Sequence, residues 1–228
     1  MSNYESDGPA EGEWEDRGDL AWNEFDWERY LRAQDEAVNR YLAYYETFKV
    51  HPERIDEVAR HMDWENGAEA SDPDSGEAGA PGTPPENYSA DGDVYTLHKN
   101  PIFIATRALY LRVRRNWELI AGASEKVPQP LAVAYLSVLQ QGEDQAVQAI
   151  HALEFGDFSM AISLFKRALS VLNRSLALLN DPEARQHHPV DVYRADALTT
   201  LFDLREIWLR VMGECRAELE RPVEDEES

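Results

Sequence analysis

The chain has 228 residues, a net charge of −22 and 43% hydrophobic content, enough apolar material for a substantial core in one large or two small domains. So acidic a chain is repelled at long range by nucleic acid and anionic membranes, which argues against direct DNA or RNA binding. Only Cys215 is present, so no intramolecular disulfide can form, and no run approaches the ~20 apolar residues of a membrane span. With no basic start or apolar stretch at the N-terminus, the expected location is cytoplasmic.

The charge is not spread evenly. Residues 1–24, 65–93 and 216–228 carry −7, −8 and −4, so the remaining residues are close to neutral. A salt-adapted protein spreads acids over its folded surface, whereas this distribution marks flexible acidic segments. Residues 1–22 are therefore expected to be an acidic disordered tail. Residues 23–64 are expected to be an N-terminal helical pair docking on the rest. Asn23 is a suitable N-cap with Asp26 three residues later, and Trp22 and Trp27 occupy the hydrophobic-staple positions. Trp27, Leu31, Gln34, Val38, Tyr41, Tyr45 and Phe48 then recur at spacings of three and four, predicting one inward face. His51-Pro52 ends this helix and opens a short second one, PERIDEVARHM.

Residues 65–93, rich in Gly, Pro, Ala, Ser and acids, read as a disordered acidic linker. Residues 94–217 predict a block of four helices. The first is marked by Ile102, Thr106, Leu109, Val113, Trp117 and Ile120, ending near Gly122. The second is marked by Leu131, Tyr135, Val138, Gly142, Ala146, Ala149 and Leu153, ending at Gly156. Asp157 caps the third, with Phe158, Ala161, Phe165, Ala168, Leu172 and Leu179 inward. After the loop NDPEARQHHPVD the fourth runs through Ala197, Leu201, Leu204, Trp208, Val211 and Cys215. Residues 218–228 form a last acidic tail. No β alternation bounded by turn signals is present, so the fold class is all-α: a helical bundle of four main helices plus an N-terminal helical pair.

Gly156, Asp157, Phe158, Ala161, Ile162, Phe165, Ala168 and Leu169 follow the spacing G-D-aromatic-x-x-A-I-x-x-aromatic-x-x-A-L. This stretch resembles one helical hairpin of a tetratricopeptide repeat. The resemblance implies close antiparallel packing at the Ala positions and, from the family, grooves that bind peptides or proteins. It is local to about fifteen residues. One period of about 34 residues downstream only Ala195 fits, and upstream only Gly122 and Ala134 do.

The remaining constellations favour no catalysis. Asp144, Gln148 and His151 share a helix face with Glu154 one turn beyond, but a di-iron site wants Glu three residues before His, where Gln148 stands. Neither a metal nor a cofactor is expected. The Arg54–His61 spacing is tolerated in some all-helical ribonucleases, but both residue types are common and the spacing is loose. His187-His188 lies in the predicted loop without a completing ligand. Cys215 falls on an apolar face, as a small core hydrophobe. Arg107, Arg112, Arg114 and Arg115 form the one dense basic patch and offer docking to an acidic segment, of this chain or of a partner. The expected function is a non-enzymatic interaction or scaffold role with a protein partner or a homodimer. The alternative is a small-ligand-binding or enzymatic bundle with a polar interior site.

Overall fold

The computed structural model describes residues 22–64, 97, 99–123, 125 and 127–221. The acidic tail 1–22, except Trp22, the linker 65–93 and most of the tail 218–228 lie outside them. Among the described residues the chain forms seven helices and no strand: α1 (Glu24–Thr47), α2 (Arg54–His61), α3 (Pro101–Ala121), α4 (Gln129–Glu154), α5 (Phe158–Asn180), α6 (Pro182–Arg185) and α7 (His188–Glu220). None is long and apolar enough to cross a membrane.

Local chemistry sets most of the boundaries. Asn23 Oδ1 accepts from the backbone N–H groups of Phe25 (2.8 Å) and Asp26 (3.2 Å), and the Asp26 carboxylate accepts back from Asn23 N–H. The Trp22 and Trp27 rings meet beneath this cap at 4.9 Å. Asn100 caps α3 through Phe103 N–H, with Pro101 at the first helical position. At the end of α4, Gly156 adopts φ +73°, and the N–H groups of Gly156 and Asp157 return to the carbonyls of Leu153 and Ala152. That pair of bonds is a Schellman stop. Asp157 then caps α5 by accepting from Met160 N–H, so α4 ends and α5 begins with almost no loop.

α3, α4, α5 and α7 pack as a closed ring of neighbours, α4 against α5 most extensively, with α1 laid on α3. Leu109, Trp117, Tyr135, Leu139, Phe165, Leu172, Leu201 and Trp208 fill the middle and are almost wholly buried. Ala161 and Ala168 are fully buried, consistent with close approach of the hairpin helices. Tyr110 reaches across to Gly142, where a Cβ atom would lie 2.4 Å from its hydroxyl oxygen and 3.3 Å from its Cζ. The Tyr110 ring is buried and stacked on Trp208 at 6.1 Å, so it has no room to withdraw. Gly142→Ala should therefore lower stability by about 1–3 kcal/mol, although Ala gains ~1 kcal/mol of helix propensity over Gly. An unchanged melting temperature would mean Tyr110 does not press on α4.

Three expectations are corrected. α2 begins at Arg54, with Pro52 in the preceding turn rather than at the first helical position. α7 begins at His188, inside the segment expected to be a loop. Val190 and Tyr193 are in phase with Ala197 and Leu201 and are buried. Tyr193 also donates to the Val113 carbonyl at 2.9 Å, which anchors this extra turn. Finally, the inward face of α1 is occupied by Tyr30, Ala37, Val38, Tyr41 and Tyr45, while Trp27 and Leu31 are exposed. α1 sets Ala37 beside Ile104 and Glu46 beside Arg112. It thus runs parallel to α3, and its first turns extend past the start of α3 at Pro101.

Candidate functional site

Charged and hydroxylated side chains concentrate where the N-terminal pair meets the bundle. On α7, Asp196, Thr200 and Asp203 recur at intervals of four and three, which puts them on one helix face. α3 adds Arg112, whose side chain is 5% exposed. α1 adds Tyr45 and Glu46, with Lys49 just beyond its end, and α2 adds Arg54.

Arg112 is the centre of the first cluster. Its Nε donates to Glu46 at 2.5 Å, its two terminal nitrogens donate to Asp196 at 2.7 and 2.9 Å, and one of them also reaches Thr200 Oγ1 at 2.8 Å. The guanidinium also lies 5.6 Å from the Tyr45 ring centre. Lys49 and Asn116 add further donors to Asp196. Burial works against the charge on Asp196, but Arg112 and Lys49 outweigh it and hold the carboxyl at about 2, below its usual 3.8. A carboxyl lowered on folding contributes stability that is present above its unfolded pKa and lost as pH falls through the folded one. The junction should therefore weaken between about pH 4 and pH 2. Acid titration followed by tryptophan fluorescence checks this, and Asp196→Asn should flatten that window.

The second cluster centres on Asp203, 5% exposed. Arg54 grips it in a two-pronged pair, with both bonds at 2.6 Å, and the Tyr45 hydroxyl donates to the same carboxylate. Arg210 of α7 completes the seam by pairing with Asp56 of α2 at 2.5 Å. Burial pushes the Tyr41 and Tyr45 phenols up, and Asp203 adds to both shifts, so they stay protonated at neutral pH. The Tyr41 hydroxyl is the one buried side-chain polar atom among the described residues with no hydrogen-bond partner. These clusters hold tightly paired ions and neutral phenols, an arrangement suited to clamping helices together rather than to proton transfer near neutral pH.

The predicted basic patch is split apart by the helix. Arg107 and Arg114, two turns apart, both reach Glu143 of α4, at 2.5 and 3.1 Å, and Glu143 is 4% exposed. Arg112 turns to the N-terminal pair, and Arg115 alone is exposed with no ion pair among the described residues. Among the described residues, the carboxylates that Arg107, Arg112 and Arg114 meet lie on α1, α4 and α7. Arg54 and His61 are likewise separated in use: Arg54 is committed to Asp203, while exposed His61 stacks on Tyr44 and Phe48 at 5.4 and 4.8 Å. Asp144, Gln148 and His151 are exposed, and Glu154 bonds Asn100. His187 and His188 sit at the start of α7 rather than in a loop. Cys215 is buried, and burial pushes its thiol up. Among the described residues no group of three or more His, Cys, Asp or Glu is placed to hold a metal ion.

Asp196 and Asp203 were missed by the sequence reading. Their signal was present: three polar residues at helical spacing beside the inward Ala197, Leu201 and Leu204.

Grooves open to solvent lie among the described helices. One, about 470 Å³, runs between α4 and α5 past Ala134, Ser137, Val138, Arg174, Ala177 and Leu178 to Asp181. Another, about 420 Å³, lies between α1 and the start of α3 and is lined in part by Trp64, stacked on Tyr41 at 5.7 Å. Comparison of the chain with protein families, curated proteins and solved structures finds no match.

Proposed function

We propose that this chain is a non-enzymatic interaction protein, a scaffold that uses grooves between its helices and its acidic segments as contact surfaces. The observation that supports this is where its buried charge goes. Arg112, Glu143, Asp203 and their partners close on one another and join helix to helix. The α4–α5 groove, by contrast, is lined mostly by small and apolar side chains, with one Arg and one Asp among them. Such a surface fits a peptide or helix better than a reacting small molecule. The partner is a protein, with a second copy of this chain as the competing possibility, and the lone thiol suits a reducing cytoplasm.

Affinity purification of the full chain from its source cells, read by quantitative mass spectrometry, tests the reading. One protein enriched close to stoichiometry is expected. A second reading, a small-ligand-binding bundle, draws on the unpartnered Tyr41 hydroxyl beside the Asp203 cluster. Native mass spectrometry showing a bound small molecule and no protein partner would favour that reading and overturn the first.

A further inference from the structure

Within α5 there are three cations, Lys166, Arg167 and Arg174, and no Asp or Glu, in a chain with 44 acids against 22 Lys and Arg. All three side chains are exposed. Lys166 and Arg167 have no hydrogen bond or ion pair among the described residues, and Arg174 meets only the neutral amide of Gln141, at 3.3 Å. This differs from α3, where three of four arginines are tied to carboxylates. Arg167 and Arg174 are seven residues apart, so they share a face with about 10 Å between their positions along the axis. Arg174 is also a wall of the α4–α5 groove, where Ala134, Ser137 and Ala177 leave room for a backbone to approach and Leu178 offers an apolar contact. Two acids belong to the same surface. Asp181 is turned to cap α6, accepting from Glu183 and Ala184 N–H at 2.8 and 3.4 Å, and Asp144 is exposed on α4. They match Arg167 and Arg174 in number, but the Asp181 carboxylate is engaged by the backbone N–H groups it caps, which leaves two guanidiniums against one uncapped acid.

We infer that this face of the α4–α5 hairpin docks an acidic, extended peptide segment of a partner protein. An extended chain advances ~3.3 Å per residue, so carboxylates three residues apart meet Arg174 and Arg167. An apolar residue ahead of them enters the groove beside Leu178 and Ala177. Charge complementarity selects this occupant: the surface carries uncommitted cations, and the groove beside them accepts small apolar groups. The inference rests on the interaction reading above and names its partner chemistry.

The test uses the full chain and a fluorescein-labelled peptide carrying Leu followed by Glu at three-residue intervals, with a Gln counterpart, read by anisotropy at low and physiological ionic strength. The Glu peptide should bind, more weakly as salt rises, and the Gln peptide should not. The double reversal Arg167→Glu/Arg174→Glu, at exposed positions that should leave the melting temperature unchanged, should weaken binding at least about tenfold, roughly 1.4 kcal/mol. Arg115→Glu should leave binding unchanged. No binding to the wild type, equal binding to the double reversal, or loss on Arg115→Glu overturns the inference. Binding that emerges only when residues 1–21 or 222–228 are removed assigns the groove to this chain's own acids and also overturns it. A cellular partner that co-purifies equally with the double reversal sinks the inference while leaving the interaction reading intact.

Discussion

Asp203→Ala is expected to destabilise the protein by about 3–5 kcal/mol, the range for breaking a buried ion pair from one side. The side chain is 7% exposed, and its carboxylate accepts from both prongs of Arg54 and from the Tyr45 hydroxyl. Removing it leaves a part-buried guanidinium and a fully buried phenol without their acceptor, and it is the phenol that water reaches least. The loss should appear as a lower urea midpoint and as early proteolytic release of the N-terminal pair. Replacing the whole set, Asp203→Leu with Arg54→Met and Tyr45→Phe, should recover most of the loss, because the cost lies in the unpaired groups rather than in the absent bridge. A single-variant loss below about 1 kcal/mol would place Asp203 in a solvated pair that does not clamp the helices.

What could be read beforehand follows the range of the interactions involved. The cap at Asn23, the stop at Gly156 and the cap at Asp157 each depend on residues within a few positions, and all three occur as the sequence indicates. The junction does not, because Arg112 finds Asp196 84 residues away and Arg54 finds Asp203 149 residues away. No local pattern fixes such pairs; they exist only once the ring of helices has formed. The start of α7 was hidden for another reason. Its cap residue His187 and its opening His188-Pro189 look like a loop, so only the phase of Val190 and Tyr193 with Ala197 marked it. The arginine patch was legible in principle: at 100° per residue, Arg107 and Arg114 fall together and Arg112 falls well round the helix. Proximity in sequence concealed that they serve three different neighbours.

Trp208→Ala is expected to cost about 3–5 kcal/mol. The side chain is fully buried where α3, α5 and α7 meet, with the Tyr110 and Phe165 rings at 6.1 and 6.2 Å. Its indole N–H donates to Thr106 Oγ1 at 3.1 Å, and Thr106 is itself buried. Truncation opens a cavity lined by two aromatic rings that neighbouring helices cannot close, and it deprives the Thr106 oxygen of its donor. Thr106 can still turn its own proton to the carbonyl one helical turn back, so the cavity dominates and the lost bond is the smaller part. Trp208→Phe should accordingly recover more than half of the loss. Phe202→Ala on the same helix is the internal reference, since Phe202 is 48% exposed. An exposed truncation of this kind should stay within about 0.5 kcal/mol of wild type. Thermal melting of the three variants thus reads the rotation of α7 directly: comparable losses at 202 and 208 would mean the helix presents a different face to the core, and with it a different face to the N-terminal pair.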